Sequence, residues 1–105
     1  MRVEYSKRAI ADLRNIAAYY DRFGNPAVGE RIAARIQEVV IQISGSPLSG
    51  RAVVQRPGVR VVLLVNYRYK IFYRVAGNTI RIIHIRHTSR QPYDPTFPGF
   101  RAQWA

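Results

Sequence analysis

Hydrophobic positions along the chain change period once, near residue 45, and that change divides it into a helical part and a sheet part. Val3-Glu4-Tyr5 reads as a short strand. Ser6 then stands where an N-cap belongs, its hydroxyl accepting from an orphan N–H of a first helical turn. Ile10, Leu13, Ile16, Ala17 and Tyr20 follow at three- and four-residue spacing, the stripe of an amphipathic helix, with Tyr19 on its outer side. Gly24 ends that helix as a C′ residue, and Asn25-Pro26 starts another as N-cap and N1. Ile32, Ile36, Val39, Val40 and Ile43 give the second stripe, so residues 7–43 predict an αα-hairpin.

Beyond it the period is two. Ser44–Gly50 (SGSPLSG) is a loop of turn-forming residues. Ala52–Arg56 reads as a short strand stopped by Pro57-Gly58, and Val59–Val65 as a buried strand because its apolar run is nearly continuous. Arg68–Ala76 alternates, with Arg68, Lys70, Phe72 and Arg74 on one face and Tyr69, Ile71, Tyr73 and Val75 on the other. The second set is the expected core beneath the helices. Gly77-Asn78 fits a two-residue hairpin turn of type I′ or II′, and Thr79–His87 returns. The predicted order β-α-α-β-β-β-β is an α+β fold: an N-terminal strand, a helical hairpin, then a largely antiparallel four-stranded C-terminal sheet.

The 105 residues predict one domain spanning 1–105. Its last part, Gln91–Ala105, is an irregular tail whose prolines forbid regular structure and whose aromatics favour folding back on the body. The N-terminus lacks the apolar segment of a secretory signal, no apolar run is long enough for a membrane span, and cysteine is absent. These features predict a cytoplasmic protein with no membrane partner.

Charge sharpens the division. The formal net charge is +11. Glu4, Asp12, Asp21, Glu30 and Glu38 all precede a stretch that holds Arg51, Arg56, Arg60, Arg68, Lys70, Arg74, Arg81, Arg86 and Arg90 and no carboxylate before Asp94. Like charges repel and cost folding free energy, so a one-sign surface implies a strongly anionic partner: nucleic acid or an acidic protein segment.

Chemistry narrows the choice. His84 and His87 are three apart on a strand and point to opposite faces, without carboxylates nearby, so no metal site is expected. His84 reads as a packed histidine among isoleucines. No nucleophile elbow, Walker loop or G-x-G-x-x-G occurs, and no cofactor is expected. The sheet half offers no paired carboxylates for glycoside hydrolysis. Metal-free RNA cleavage survives, because it needs cations around a dianionic phosphorane and Lys, His or Tyr to move protons. Lys70, Arg86, His87, Arg90 and Tyr93 are the right residue types for it. The acid-bearing helices are not basic enough to lie in a DNA groove.

The succession YSKRAIADLRNIAAYY, SPLSGR, Pro57-Gly58-x-Arg60, YRYKIFYRV and IRIIHIRHTSR resembles the ParE branch of the RelE/ParE superfamily of toxins from type II toxin–antitoxin pairs. Ala9-x-x-Asp12-Leu13, Gly50-Arg51, Arg60, Tyr69-x-Ile71-x-Tyr73 and His87-x-x-Arg90 carry the likeness, over roughly residues 2–90. The resemblance implies a cognate antitoxin with an acidic or amphipathic segment, and poisoning of DNA gyrase or a gyrase–DNA complex by binding. The superfamily's RelE branch implies the alternative, cleavage of mRNA on the ribosome, with Lys70, Arg86, His87, Arg90 and Tyr93 as the cluster. Two positions depart from that branch: Lys70 stands where arginine is common, and Thr88-Ser89 where a basic residue is common. The expected contact set for antitoxin or target is Arg60, Arg68, Lys70, Phe72, Arg74, Arg86, His87 and Arg90.

Overall fold

A computed structural model describes residues 1–64 and 66–88. The Arg90 and Tyr93 expectations and the whole Gln91–Ala105 tail therefore lie outside the described residues. The elements are β1 (Arg2–Tyr5), α1 (Lys7–Arg22), α2 (Pro26–Gly45), β2 (Arg51–Ala52), β3 (Val59–Leu64), β4 (Tyr69–Ala76) and β5 (Thr79–His87). The α+β architecture and the element order follow the sequence expectation. The N-terminal strand joins the C-terminal sheet, so the sheet has five strands in the order β1-β5-β4-β3-β2. β1 lies parallel to β5, and every other pair is antiparallel.

Local chemistry explains the helix ends. Ser6 Oγ accepts from Ala9 N at 3.0 Å and caps α1. Gly24 follows the last turn with φ +75°, a conformation in which a Cβ would be strained. Pro26 occupies N1 of α2, whereas Asn25 makes no side-chain cap, so Pro rather than Asn sets this start. α2 runs on through Ser44 to Gly45, shortening the expected loop from its N-terminal side.

Both helices cover one face of the sheet. Ile32, Ile36, Val39, Val40 and Ile43 of α2, with Ala9 and Ile16 of α1, pack on Leu64, Ile71, Tyr73, Ile80, Ile82 and Ile85. Ile10 and Ala17, expected in the α1 stripe, are exposed on its flank; Ala9 and Ile16 form its buried line, with Leu13 and Tyr20 half-buried beside them. Leu13 and Tyr20 hold to the expected stripe, and Tyr19 is exposed as expected.

The sheet departs from strict alternation in three places. β2 has two residues, not the expected Ala52–Arg56; Val53 N donates to Val59 O at 2.9 Å and the chain turns at once. β3 is not buried on both faces: Leu63 is 51% exposed and Val61 is half-buried, because no helix covers the side they occupy. Third, the β4–β5 register shifts between Phe72 and Tyr73, where Phe72 faces His84 and Tyr73 faces Ile82. Ile83 is the extra residue of this β-bulge. Because of it, Ile80, Ile82 and Ile85 all face the helices, which a pure period of two could not achieve.

Arg68 is not in a strand. It sits in the β3–β4 turn with φ +58°, donates its N–H to Leu64 O at 3.0 Å and accepts from Thr88 N through its own carbonyl at 2.6 Å. At the β4–β5 turn Gly77 alone has a positive φ, +58°, which selects type II′.

Candidate functional site

The sheet face turned away from the helices carries most of the described C-terminal cations. Cross-strand pairing puts Val61 beside Phe72, Leu63 beside Lys70, Phe72 beside His84, Lys70 beside Arg86, and Arg74 between Val59 and Arg81. Side chains directly paired across a ladder share a face. Arg51 pairs with Val61 and belongs to the same side.

Over β3 and β4 the β2–β3 connection forms a strap. Between strap and sheet lies a cavity of about 620 Å³, whose lining includes Val54, Arg56, Val61, Leu63, Lys70 and Phe72. The walls are thus aliphatic and aromatic, with cations at the margin. Val54 is 89% exposed at the strap.

Arg56 fastens the strap to the sheet. Its Nη1 lies 3.0 Å from His84 Nε2. Guanidinium can only donate, so Nε2 accepts, and His84 is neutral with its proton on Nδ1. Burial, then the positive charges of Arg56, Arg86 and Arg8, pushes the His84 pKa from 6.5 to about 3. The imidazole lies flat on Phe72, ring centroids 4.4 Å apart and planes 8° from parallel. His84 is buried as expected, but on the open face against Phe72 rather than among the isoleucines, because the bulge at Ile83 turns it over. Phe72, expected as a platform for a partner, has one ring face occupied by His84.

Arg86 is 6% exposed, and its pKa falls to about 10 through burial and the nearby Arg8, with Asp12 opposing. Asp12 bridges to Arg8 Nε at 3.1 Å and accepts from Ile85 N at 2.9 Å. Burial raises the Asp12 pKa, against the Ile85 and Arg8 hydrogen bonds. The second contact has a structural meaning. β1 stops at Tyr5, opposite Ile82, leaving the rest of the β5 edge unpaired by strand. α1 covers that edge instead, through Ser6 Oγ donating to Ile83 O at 2.6 Å and through Asp12.

The expected contact residues do not all meet. Lys70, Phe72, Arg74 and Arg86 share the open face. Arg60 does not join them. It pairs with Tyr73 on the helix-backed side, and its Nη1 donates to Gly50 O at 2.7 Å and Leu48 O at 3.2 Å. Arg68 lies in the turn. His87 pairs with Tyr69, also on the helix-backed side, ring centroids 4.9 Å apart and edge to face. Of the candidate RNase residues that are described, Lys70 and Arg86 are therefore neighbours and His87 points away from both. Among the described residues no three His, Cys, Asp or Glu side chains converge as metal ligands.

Tyr73 explains two further features of the sequence pattern. Its hydroxyl donates to Pro47 O at 2.8 Å and accepts from Gly50 N at 2.9 Å, in a core position with no exposure. A Cβ on Gly50 would stand 2.6 Å from that oxygen, so only glycine fits. Tyr73 and Arg60 together pin the SPLSG loop. Arg56 and Val54 of the strap, and Val61 and Leu63 of β3, stand outside the contact set read from the sequence; the long carboxylate-free stretch held the signal for Arg56, and nothing local marked Val54.

Among the described residues, Glu4 and Asp12 meet cations of the sheet. Glu4 Oε1 is 3.6 Å from Arg81 Nη1, and its Oε2 is 3.2 Å from Arg2 Nη2, all at exposed positions. Asp12 opposes Arg86. The exposed Glu4 pairs offset little of the field.

Known proteins resemble this chain in sequence and in fold. The family described as ParE toxin of type II toxin-antitoxin system, parDE, matches residues 3–92. Toxin RelE2 of Caulobacter vibrioides is 32% identical over 88 residues, covering 84% of this chain and 96% of that protein. Among solved structures, a chain of the chromosomal ParDE system of P. aeruginosa superposes with a TM-score of 0.67 at 26% identity, covering 85% of this chain and 97% of the other. A chain of the intact E. coli RelBE toxin-antitoxin complex superposes with a TM-score of 0.65 at 14% identity over 85% of this chain and 98% of its own, a likeness of fold.

Proposed function

Because the chain belongs to the ParE toxin family of type II toxin–antitoxin systems, we propose that it acts as a binding poison of DNA gyrase, neutralised by a cognate antitoxin. The observation that supports this reading is the separation, among the described residues, of His87 from Lys70 and Arg86. General acid–base cleavage of RNA requires donor and acceptor on either side of one phosphate, within hydrogen-bond reach. Lys70 and Arg86 stand together on the open face, while His87 lies on the other side of the sheet against Tyr69. Two neighbouring cations bind phosphate or carboxylate without needing a proton relay. The apolar cavity beside them supports anchoring of a protein surface rather than catalysis.

The antitoxin belongs to the same picture. An acidic or amphipathic segment complements a face that presents Arg51, Lys70 and Arg74 around Leu63 and Val61. Its affinity falls as salt rises where the cations carry the contact, and holds where the apolar cavity dominates.

A ribosome-dependent mRNA interferase is the second reading, favoured by the Lys70–Arg86 pair and by the relative named Toxin RelE2. Expression in cells without antitoxin separates the two. Gyrase poisoning predicts filamentation, induction of the DNA-damage response and accumulation of cleaved gyrase–DNA complexes, with messages intact. Rapid translation arrest with cut messages overturns it in favour of the interferase. In that event Lys70→Ala and Arg86→Ala should abolish cleavage.

A further inference from the structure

One side chain ties the strap to the sheet beneath it. The strap's backbone closes on itself: Val53 N donates to Val59 O at 2.9 Å, Arg56 N to Val53 O at 3.1 Å and Val59 N to Arg56 O at 3.0 Å. A turn that satisfies its own backbone groups can shift as one body without orphaning them. The β2–β3 ladder below it has two residue pairs, and Gly58 has φ +79°. Val54, Gln55 and Pro57 are exposed. Among the described residues, the contact of Arg56 with His84 is the one hydrogen bond from a strap side chain to the sheet.

That contact gives a cation little to hold. Burial, then Arg56, Arg86 and Arg8, disfavour a charged imidazole, so His84 offers Arg56 one neutral lone pair. No carboxylate among the described residues pairs with Arg56. A carboxylate accepts two parallel guanidinium bonds and brings opposite charge. An anion that binds the released guanidinium better than His84 does shifts it away from the sheet. The cavity walls beside it include Val54, Val61 and Leu63. A sugar–phosphate backbone has no apolar side chain to set against them, whereas an acidic protein segment brings both groups.

We propose that the strap, residues 53–58, is a hinged lid on the open-face cavity and Arg56 its exchangeable latch, held by His84 in the unbound protein and transferred to a carboxylate of an acidic protein segment as that segment enters. The choice of partner rests on the binding reading given above; the latch does not.

The chain has no cysteine, so single thiols report the lid in the full-length protein. Val61→Cys, on the cavity wall, should react with a maleimide several-fold faster when Arg56→Ala is added. Val39→Cys, 4% exposed in the helix-backed core, should keep its rate under the same change. An unchanged Val61→Cys rate overturns the latch. Equal acceleration at both sites also overturns it, because Arg56 would then support the whole fold. The exchange is read at His84 by nitrogen NMR, with His87→Gln distinguishing the two imidazoles. A short peptide of Glu and Leu, added at constant ionic strength, should move the His84 Nε2 signal towards its position in Arg56→Ala. No movement overturns the exchange. Movement with a duplex DNA oligonucleotide but not with the peptide makes nucleic acid the occupant and overturns the proposed partner. Neither measurement involves gyrase, so the lid can fail while gyrase poisoning stands, and the reverse.

Discussion

On the helix-backed face of the sheet, Ile71, Tyr73, Ile80, Ile82 and Ile85 are 3% exposed or less; on the opposite face Arg74 and Arg81 are exposed and Leu63 is half in solvent. The same three strands build both. The first face is closed by interlocking demands: Tyr73 needs Gly50, Arg60 holds the carbonyls of Gly50 and Leu48, and Asp12 occupies the edge that β1 leaves open. On the second, strand register sets Lys70 opposite Arg86 and Arg74 opposite Arg81. Asp12, Gly50, Arg60, Tyr69 and Tyr73, which mark the ParE likeness most clearly, are thus largely scaffold residues. A scaffold can be shared across toxins whose open faces meet different targets, which is why family membership and target are separate conclusions.

Substitutions should separate the faces in order of effect. Ile82→Ala removes a core side chain with no exposure and should cost about 2–5 kcal/mol in denaturant unfolding. A loss as small as that of a surface change would mean the helix-backed face is not the core. Gly50→Ala forces the new methyl against the Tyr73 hydroxyl and ring and should cost about 1–3 kcal/mol; Tyr73→Phe in the same background should relieve part of it, which a double-mutant cycle measures.

Asp12→Ala strips the Ile85 N–H of its acceptor and should cost about 1–3 kcal/mol. That outcome extends the scaffold to the sheet edge, and a neutral result would remove it.

His84 sharpens the comparison through pH. Its folded pKa, about 3, lies below the unfolded value of 6.5, so the unfolded chain binds the proton more readily. Its contribution is complete above pH 6.5 and is lost as pH falls from 6.5 towards 3. Within that window stability should decline by up to ~1.4 kcal/mol per pH unit. His84→Gln should flatten the slope measured by unfolding at stepped pH; an unchanged slope would show that the Arg56–His84 fastening does not hold in solution. The raised Asp12 pKa acts in the opposite sense, so the difference between wild type and variant is the quantity to compare.

The smallest stability effect belongs to Arg74→Ala on the open face, expected within about 0.5 kcal/mol of wild type. Its effect on antitoxin affinity should be larger at low salt than at high salt, as calorimetry at two ionic strengths would show. A large stability loss would move Arg74 into the scaffold.

The periodic signals decided a great deal by themselves. Ser6, Gly24 and the α2 stripe specify two helices because capping and 3.6-residue amphipathicity are local, and Tyr69, Ile71 and Tyr73 declare a core face because a strand alternates. The concentration of positive charge in the sheet half was equally legible, since it needs only counting. Tertiary structure decided what alternation could not carry. The bulge at Ile83 turned His84 onto Phe72 and left His87 with Tyr69, so that Arg86 rather than His87 joins Lys70 on the open face. Arg60 became a clamp on carbonyls ten and twelve residues away. Both outcomes depend on which strands become neighbours and in what register, and a register is set by pairing between distant segments rather than by the residues on either side.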